Sequence, residues 1–384
     1  MEIEEGEDFL GKKIKVAIII RGFHSGGIEK VFETYLSHMK RSGFDFHIIT
    51  HMKNDPNRKK IFLDLGCAVH EFSKLHGHRL TLRNILEYKD LFEKYSFDVV
   101  HNNMPDNLLP LWFAKMKGVP CRILHAHNVY VTEDEKNFFI RNLYRKGFAL
   151  NSAKATVLIG VSEDAALSVF GKKNMEKVII LPNAIEVEKY KYRADIRDEM
   201  REILTLKNKF VIGHIGRYEN NQKNQEFVLA ILKKLLKIMP ESRLLMVGDG
   251  KRQKELKKMA IDMNIEDKVI FTGNVMNVQD YLQAMDFFVL PSRKEGLGIA
   301  AVEAQAAGLY CLVSDRVPDE VKATNNIEFL SIDCGVDLWV SKISKKKNCN
   351  RSSGYKKMKG GRYDIEAQSS KLGDIYYGYS KHSY

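Results

Sequence analysis

The sequence lacks any apolar run approaching the roughly 20 residues that a bilayer-spanning helix requires. It also has few cysteines, and these five are scattered without a C-x-x-C spacing: Cys67, Cys121, Cys311, Cys334 and Cys349. An odd number in this pattern predicts reduced thiols in a cytoplasmic protein, rather than a disulfide framework. The opening residues, MEIEEGEDFLGKK, are acidic and contain no apolar h-region, so we expect no signal peptide.

Acidic residues are outnumbered, with 49 Asp and Glu against 61 Lys and Arg, for a formal net charge of +12. An anionic lipid surface, a phosphorylated substrate or nucleic acid would complement this charge. A lysine-rich surface that only contacts solvent is the alternative. We find no nucleic-acid-binding module and no basic stretch interleaved with stacking aromatics, so nucleic acid is not an expected partner.

The 384 residues are more than one hydrophobic core usually organises, so two domains are expected. Apolar strand candidates alternate with helical patterns, which predicts parallel sheets covered by helices on both faces. The first series of strands is Ile14–Ile20, Phe46–Thr50, Asp98–His101, Arg122–His125, Ala155–Val161 and Val178–Leu181. The second is Phe210–Ile215, Arg243–Val247, Lys268–Phe271, Phe287–Leu290 and Leu309–Val313. Two series predict two doubly wound domains, with ligands beyond the carboxyl ends of the strands, in the cleft between the domains.

The most informative stretch is DFFVLPSRKEGLGIAAVEA, residues 286–304. An apolar strand ends at Pro291, a glycine-spaced turn follows, and a helical run begins at Ile299. A strand, a glycine loop and a helix N-terminus together form an anion site, because the amides point outward and the helix dipole is positive there. Glu295 and Glu303 frame this site about two helical turns apart, so they can bind different ends of one ligand.

This stretch resembles the E-x7-E signature of retaining glycosyltransferases with the GT-B fold, and the resemblance extends from about Lys15 to about Asp333. It implies an α/β protein of two Rossmann-like domains facing each other across a cleft. The expected boundaries are 14–184 for the acceptor-side domain, 185–340 for the nucleotide-sugar domain, and 341–384 for a basic tail and a C-terminal helix. The tail is expected to be a solvated basic loop with a helical piece, and the resemblance implies that the final helix crosses back onto the N-terminal domain. The resemblance further implies that Glu303 binds the ribose and Glu295 the transferred sugar. Gly296, Leu297 and Gly298 would form the loop whose amides meet the phosphate.

Two other elements match the family's donor site. Gly26 and Gly27 follow the first strand and resemble its GGxE loop, which implies contact with the distal phosphate and the sugar. Arg217 and Lys223 follow a strand of the second domain and resemble its GR…K element, which implies that they clasp the donor diphosphate. Two such cations stabilise the charge that grows on the leaving nucleoside diphosphate.

Further residues follow strands at comparable places. Asn274 and Val275 stand where the family presents backbone to the base, whereas the glycines of Val247-Gly248-Asp249-Gly250 are expected to serve a structural turn. His125 and His127 are taken to point to opposite faces if the strand continues, so at most one faces the cleft. Alignment with the family's sugar-contacting histidine favours His127, with His125 as the alternative. A metal-binding pair is the competing interpretation, but no third ligand stands at suitable spacing.

The sequence contains no D-x-D at a strand end and no obvious covalent nucleophile. We therefore expect metal-independent transfer without a cofactor, with catalytic roles for Glu295, His127, Arg217 and Lys223. The expected enzyme moves a sugar with retention from a UDP-linked hexose donor to a saccharide or lipid-linked acceptor in capsule or exopolysaccharide synthesis. Its expected location is cytoplasmic, with possible peripheral contact with the membrane. A UDP-sugar 2-epimerase and a non-catalytic partner subunit on the same fold are the alternatives.

Overall fold

The computed structural model describes residues 13–23, 28–39, 43–52, 55–74, 81–128, 138–346, 351 and 354–380. The chain divides into two compact units. The first unit contains the described residues up to Ile180 together with those from Ser369 onward, and the second unit runs from Leu181 to Gln368. None of the helices among the described residues is long and apolar enough to cross a membrane.

Within its described residues, the first unit carries a seven-stranded parallel sheet of order β3-β2-β1-β4-β5-β6-β7. The strands are β1 (Ile14–Ile20), β2 (Phe44–Thr50), β3 (Ala68–Glu71), β4 (Val99–Asn102), β5 (Cys121–Ala126), β6 (Val157–Gly160) and β7 (Val178–Ile180). The helices between them are α1 (Ile28–His38), α2 (Pro56–Asp64), α3 (Leu82–Lys94), α4 (Leu109–Met116), α5 (Phe138–Ser152) and α6 (Glu163–Phe170). The central strands are buried, as expected of a parallel sheet with helices on both faces.

The described residues of the second unit form a six-stranded parallel sheet of order β10-β9-β8-β11-β12-β13. The strands are β8 (Phe210–Ile215), β9 (Ser242–Val247), β10 (Val269–Phe271), β11 (Phe287–Leu290), β12 (Tyr310–Ser314) and β13 (Ile327–Leu330). The helices are α7 (Ala194–Ile203), α8 (Gln225–Leu235), α9 (Gln253–Asp262), α10 (Val278–Ala284), α11 (Ile299–Ala306), α12 (Val336–Lys345) and α13 (Gly354–Met358). A last helix, α14 (Ile365–Ser380), begins in the second unit and belongs to the first unit from Ser369 onward.

Both sheets reverse their strand order beside the first strand of the unit. In the first unit this point lies between β1 and β4, and in the second between β8 and β11. Ligands of doubly wound sheets bind at the carboxyl ends of such strands. The loops after these four strands are therefore where each unit can hold a ligand.

Arg351, which follows α12, differs from the expectation of a solvated basic loop. The guanidinium of Arg351 donates to four backbone carbonyls, those of Leu282, Gln283, Met285 and Ala307, at 2.8–3.3 Å. Burial lowers the pKa of Arg351 to about 9. Gly308 makes this docking possible, since a Cβ added there would lie 1.8 Å from the carbonyl oxygen of Arg351. For Arg351 the expectation was wrong, because composition does not show that a basic side chain has carbonyl partners.

Candidate active site

The core of the site in the second unit is an ion pair between Lys223 and Glu295. Lys223 Nζ donates to Glu295 Oε1 at 2.6 Å, and the hydroxyl of Ser292 donates to the same oxygen at 2.6 Å. Glu295 is buried and Lys223 is partly buried. The structure thus brings together two predicted donor-binding residues that stand 72 positions apart in the sequence.

The loops that carry these two residues are hydrogen-bonded to each other. Asn224 adopts a left-handed conformation at φ 55° and donates from Nδ2 to the carbonyl of Pro291 at 3.0 Å. The amide of Arg293 donates to the carbonyl of Gln222 at 2.7 Å. These two hydrogen bonds connect the loop after β8 to the loop after β11, so the two loops that carry Lys223 and Glu295 are held together.

The helix N-terminus lies beside this pair. Gly298 precedes α11 at φ 88°, and an added Cβ would lie 3.1 Å from Val317 Cγ1, so the turn favours glycine. The amides of Leu297 and Gly298 donate to no acceptor among the described residues. Donors of this kind at the positive end of a helix dipole suit an anion.

Glu303 lies on α11 with its side chain largely buried. The hydroxyl of Tyr190 donates to Glu303 Oε1 at 2.7 Å. Burial, followed by the charge of Glu303, raises the pKa of Tyr190 well above its usual value, so the phenol keeps its proton. Sequence reasoning missed Tyr190 because it stands 113 residues from its partner, in a polar segment with no motif of its own.

Arg217 and the stem of Lys223 flank the end of β8. Arg217 is exposed, and its guanidinium makes no hydrogen bond or ion pair with any described residue. The stem of Lys223 passes over Gly216, where an added Cβ would lie 3.1 Å from Lys223 Cγ. Arg217 is therefore free to meet a ligand, whereas Lys223 has Glu295 as its partner.

His214, which sequence reasoning also missed, lies beneath this surface in β8. Its Nδ1 lies 3.1 Å from the carbonyl oxygen of Val289, and burial lowers its pKa to about 4. The neutral ring therefore donates from Nδ1 to Val289. Its Nε2 is buried and meets no partner among the described residues.

The remaining predicted residues of the second unit lie at the ends of β9 and β10. Gly248 is structural as predicted, because a Cβ added there would lie 2.0 Å from the carbonyl oxygen of Gly216. Its amide donates to the carbonyl of Gly273 at 3.1 Å, which places Asn274 and Val275 in the adjoining loop. Asn274 is exposed and Val275 partly buried, and neither is part of the Lys223–Glu295 network.

In the first unit, three buried histidines lie at the carboxyl ends of β4 and β5. The rings of His125 and His127 have centroids 3.9 Å apart, and the centroid of His101 lies 5.2 Å from that of His125. The prediction that His125 and His127 point to opposite faces is wrong. Side chains alternate along a strand, so residues two apart share a face. The predicted Gly26 and Gly27 lie outside the described residues.

Each histidine has a defined partner. His127 Nε2 lies 2.7 Å from Asn103 Oδ1, His101 Nε2 lies 3.1 Å from His125 Nδ1, and His101 Nδ1 lies 2.8 Å from the hydroxyl of Tyr376. Burial lowers the pKa of His101 and of His125 well below the usual value, so both rings are neutral. Among the described residues no group of three or more His, Cys, Asp or Glu side chains has the arrangement of a metal site.

Two family models match the chain and together cover most of it. The model described as "Glycosyl transferases group 1" matches residues 195–347, and the model described as "Glycosyltransferase Family 4" matches residues 25–189. The boundary between the two matches falls near the boundary between the two units.

Individual proteins are similar to this chain over most of their own length and most of its length. EpsF of Bacillus subtilis, named as a glycosyltransferase, is 28% identical over 86% of this chain and 87% of its own. An Escherichia coli protein named UDP-Gal:alpha-D-GlcNAc-diphosphoundecaprenol alpha-1,3-galactosyltransferase is 27% identical over 77% of this chain and 79% of its own. The crystal structure of Anabaena HepE in complex with UDP has a TM-score of 0.76 at 16% identity, covering 95% of this chain and 100% of that one. The similarity to HepE shows the fold.

Proposed function

Since the chain belongs to group 1 of the glycosyl transferases and has the GT-B fold, we propose that it transfers a hexose from a UDP-linked donor, with retention, to a saccharide or lipid-linked acceptor in polysaccharide synthesis. The observation that carries this proposal is the Lys223–Glu295 pair beside the amides of Leu297 and Gly298, which have no acceptor in the described part of the chain. One carboxylate, one ammonium and two amides provide contacts for a sugar hydroxyl and for a diphosphate.

Binding of the donor requires Lys223 to exchange partners. A diphosphate that reaches the N-terminus of α11 brings negative charge to the ammonium that Glu295 now neutralises. Lys223 then turns to the phosphate oxygens, and Arg217 adds a guanidinium that can fork onto two of them. Glu295 is released to accept hydrogen bonds from hydroxyls of the sugar, so one exchange prepares both ends of the donor.

The reaction then breaks the bond between the anomeric carbon and the phosphate oxygen. Negative charge grows on the leaving nucleoside diphosphate, where Arg217, Lys223 and the loop amides stabilise it in place of a divalent ion. The leaving phosphate accepts the proton of the attacking acceptor hydroxyl on the same face of the sugar, which retains the anomeric configuration. Glu303 binds the ribose hydroxyls, and the hydrogen bond from Tyr190 keeps the Glu303 carboxylate in position.

The choice of UDP is supported by two relatives. HepE was crystallised with UDP and with UDP-glucose, and the Escherichia coli relative is named for a UDP-galactose donor and a diphosphoundecaprenol-linked acceptor. A membrane-embedded acceptor of that chemical class requires the enzyme to work at a lipid surface.

Helices α4 and α5 present a surface suited to anionic lipid, which we call the α4–α5 surface. Both helices contribute to one core cluster on the same face of the sheet. Their outer sides expose four large apolar residues, Trp112, Met116, Leu143 and Leu150, at 41–72% of full exposure. Exposed cations lie among them: Lys115, Lys117, Arg145 and Lys146.

The charge of this surface has one sign. The described residues 107–128 and 138–162 contain no Asp or Glu, while Glu133, Asp134 and Glu135 lie outside the described residues. Apolar side chains surrounded by cations can enter the interface of a bilayer and attract its anionic headgroups. We therefore propose that the protein works as a peripheral enzyme at the cytoplasmic face of a membrane.

The proposal is tested by melting the protein with UDP, GDP, UDP-glucose and UDP-galactose, and then assaying transfer. A ligand that binds only the folded state raises the melting temperature. We expect UDP and one of the UDP-sugars to raise it and GDP to have no effect. The donor selected in this way is then incubated with diphosphoundecaprenol-linked sugar, and NMR of the product reports the anomeric configuration. An inverted product contradicts retention, and no stabilisation by any UDP compound contradicts the donor assignment.

A further inference from the structure

In the first unit, an ion pair joins the loop after β1 to the loop after β4. Arg21 Nη2 donates to Asp106 Oδ2 at 2.8 Å. The side chain of Asp106 is only 5% exposed, whereas that of Arg21 is 45% exposed. The two loops follow the strands between which the sheet reverses its order. The pair therefore lies where a doubly wound sheet binds a ligand.

The second unit has an ion pair at the corresponding place, because Lys223 follows β8 and Glu295 follows β11. In both units a largely buried carboxylate holds a cation that is more exposed. The donor contacts proposed above all belong to the second unit. Since a transferase binds two substrates, the pair in the first unit can serve the acceptor.

Arg21 can hold Asp106 and a second anion at the same time. A guanidinium has five N–H donors in a planar fork. The contact with Asp106 uses Nη2, and Nε and Nη1 of Arg21 donate to no acceptor among the described residues. Asp106 therefore orients the guanidinium, while its remaining donors can bind the oxygens of a phosphate.

The loop that carries Asp106 is bonded to both helices of the α4–α5 surface. Asn151 of α5 donates from Nδ2 to the carbonyls of Pro105 and Asn107, at 3.0 and 3.1 Å. The amide of Leu109, the first residue of α4, donates to Asn107 Oδ1 at 3.2 Å. Asp106 thus stands on a loop that is fixed between the start of α4 and the end of α5.

This loop leads directly into the apolar side chains that we assign to the bilayer. Trp112 follows Leu109 on α4, and at 1.5 Å per residue the two differ by only about 5 Å along the helix. In a lipid-linked acceptor the lipid chain alone enters the hydrocarbon, so the diphosphate joined to it stays at the level of the headgroups. Arg21 is therefore a cation of the first unit close to the place where such a diphosphate would lie.

We propose that Arg21, oriented by Asp106, binds the diphosphate that joins the acceptor sugar to its lipid. Arg21 is then the residue that distinguishes an anionic, lipid-linked acceptor from a neutral saccharide, and Asp106 is a positioning residue. This inference rests on the proposed function for the identity of the acceptor. The donor also carries phosphate oxygens, and the experiments below separate the two sources.

The first experiment is calorimetric titration of the full chain with two compounds that share N-acetylglucosamine and a farnesyl chain. A diphosphate joins the sugar to the lipid in one compound, and the sugar is joined directly to the lipid in the other. Saturating UDP is present so that the donor site is occupied. We expect wild type to bind the diphosphate compound about tenfold more tightly, the effect of a charge-assisted contact.

The variants test whether Arg21 causes this preference. Arg21→Gln keeps a donor for Asp106 but removes the charge, so the preference should disappear, and Arg21→Lys should restore part of it. Arg58→Gln is the matched control, because Arg58 is a cation of the same unit whose partner is Glu33, at 3.8 Å. It should keep the wild-type preference. Equal binding of the two compounds by wild type, or the same preference in Arg21→Gln as in Arg58→Gln, would overturn the inference.

The second experiment measures transfer to the same two compounds. Arg21→Gln should raise the KM of the diphosphate compound about tenfold and leave its kcat, and the Kd of UDP, close to wild type. A weaker Kd of UDP with an unchanged acceptor KM would assign Arg21 to the donor and contradict the inference. If UDP does not bind, or wild type transfers to neither compound, the proposed function is wrong. The titrations of Arg21→Gln and Arg58→Gln still decide whether Arg21 binds the diphosphate.

Discussion

Lys223 and Glu295 neutralise each other at 2.6 Å, although the transfer reaction that we propose uses them on different parts of the donor. Lys223 is needed at the diphosphate and Glu295 at the sugar. The ion pair neutralises the charge of the largely buried Glu295 carboxylate, because a buried charge without a partner would destabilise the fold. It also means that UDP competes with Glu295 for the ammonium, and this competition determines how variants at the two positions should differ.

Arg217→Ala tests the phosphate clasp. The Arg217 side chain has no described partner to lose, so its removal should leave the fold intact and weaken UDP binding by roughly 2–3 kcal/mol, the size of a charge-assisted contact. Calorimetric titration measures the change. Arg316→Ala, which removes a cation of similar exposure paired with Asp333, serves as the control and should leave the Kd of UDP unaltered. Equal affinity in Arg217→Ala and wild type would remove Arg217 from the site.

Variants of the two glutamates should separate their roles. Glu303→Gln should weaken UDP binding, because the ribose is present in UDP, and Tyr190→Phe should do so to a smaller extent. Glu295→Gln should lower kcat strongly while UDP binds as well as in wild type or more tightly, since Lys223 no longer has a carboxylate partner. Calorimetry with UDP and steady-state kinetics measure both effects. If Glu303→Gln and Glu295→Gln lost UDP affinity equally, the division of roles would be incorrect.

Excess chelator should not abolish transfer. Arg217, Lys223 and the loop amides balance the diphosphate without a divalent ion, so the rate in EDTA should stay close to the rate without it. Initial rates are compared after dialysis against EDTA and after addition of magnesium or manganese. Activity that disappears in EDTA and returns with either metal would show that Arg217, Lys223 and the loop amides do not balance the charge of the diphosphate without a metal ion.

Flotation with vesicles tests the α4–α5 surface. The protein should float with anionic vesicles at low salt, remain at the bottom with zwitterionic vesicles, and be released as salt shortens the Debye length. Trp112→Ser combined with Lys115→Glu should reduce flotation several-fold. Leu338→Ser combined with Lys342→Glu makes similar changes on α12 of the second unit and should have little effect. Flotation that is the same for both double variants would place the contact elsewhere, for example at the tail cations Lys345 and Lys346, since Lys347 lies outside the described residues.

Gly308→Ala tests the docking of Arg351. Gly308 has φ 77°, and an added methyl group would clash with the carbonyl oxygen of Arg351. We therefore expect the substitution to lower the free energy of unfolding of the second unit by about 3 kcal/mol. Gly360→Ala is the matched control, with φ 72° and open space around the added Cβ, and should cost only the roughly 1–2 kcal/mol of left-handed strain. Denaturant titration compares the two. Equal losses would mean that the segment around Arg351 adjusts to the methyl group.

The sequence predicted the parts of this protein that depend on local pattern. Three strands have the predicted bounds: Ile14–Ile20, Phe210–Ile215 and Phe287–Leu290. They could be predicted because continuous apolar runs bounded by turns are typical of buried parallel strands. The edge strands β3 and β13 were missed. They are four residues long and partly exposed, so their pattern does not differ from that of a loop.

The contacts between distant residues could not be predicted in this way. Nothing near Tyr190 points to Glu303, and nothing near Tyr376 points to His101, because each contact depends on how complete elements pack. The ion pair of Lys223 with Glu295 is an intermediate case. The motif predicted both residues in one site, but only the packing of the two loops shows that they neutralise each other.

The two-part composition of the first unit has a consequence for biosynthesis. Its sheet is encoded before residue 181, whereas the part of α14 that carries Tyr376 is encoded after residue 368. A ribosome therefore finishes the second unit while the first unit still lacks Tyr376. Domains generally fold as they emerge, N-terminal first, but here the first unit to emerge is the last to be complete. Nascent chains stalled before Ser369 should hold His101 and His125 without their tyrosine, with the second unit already translated.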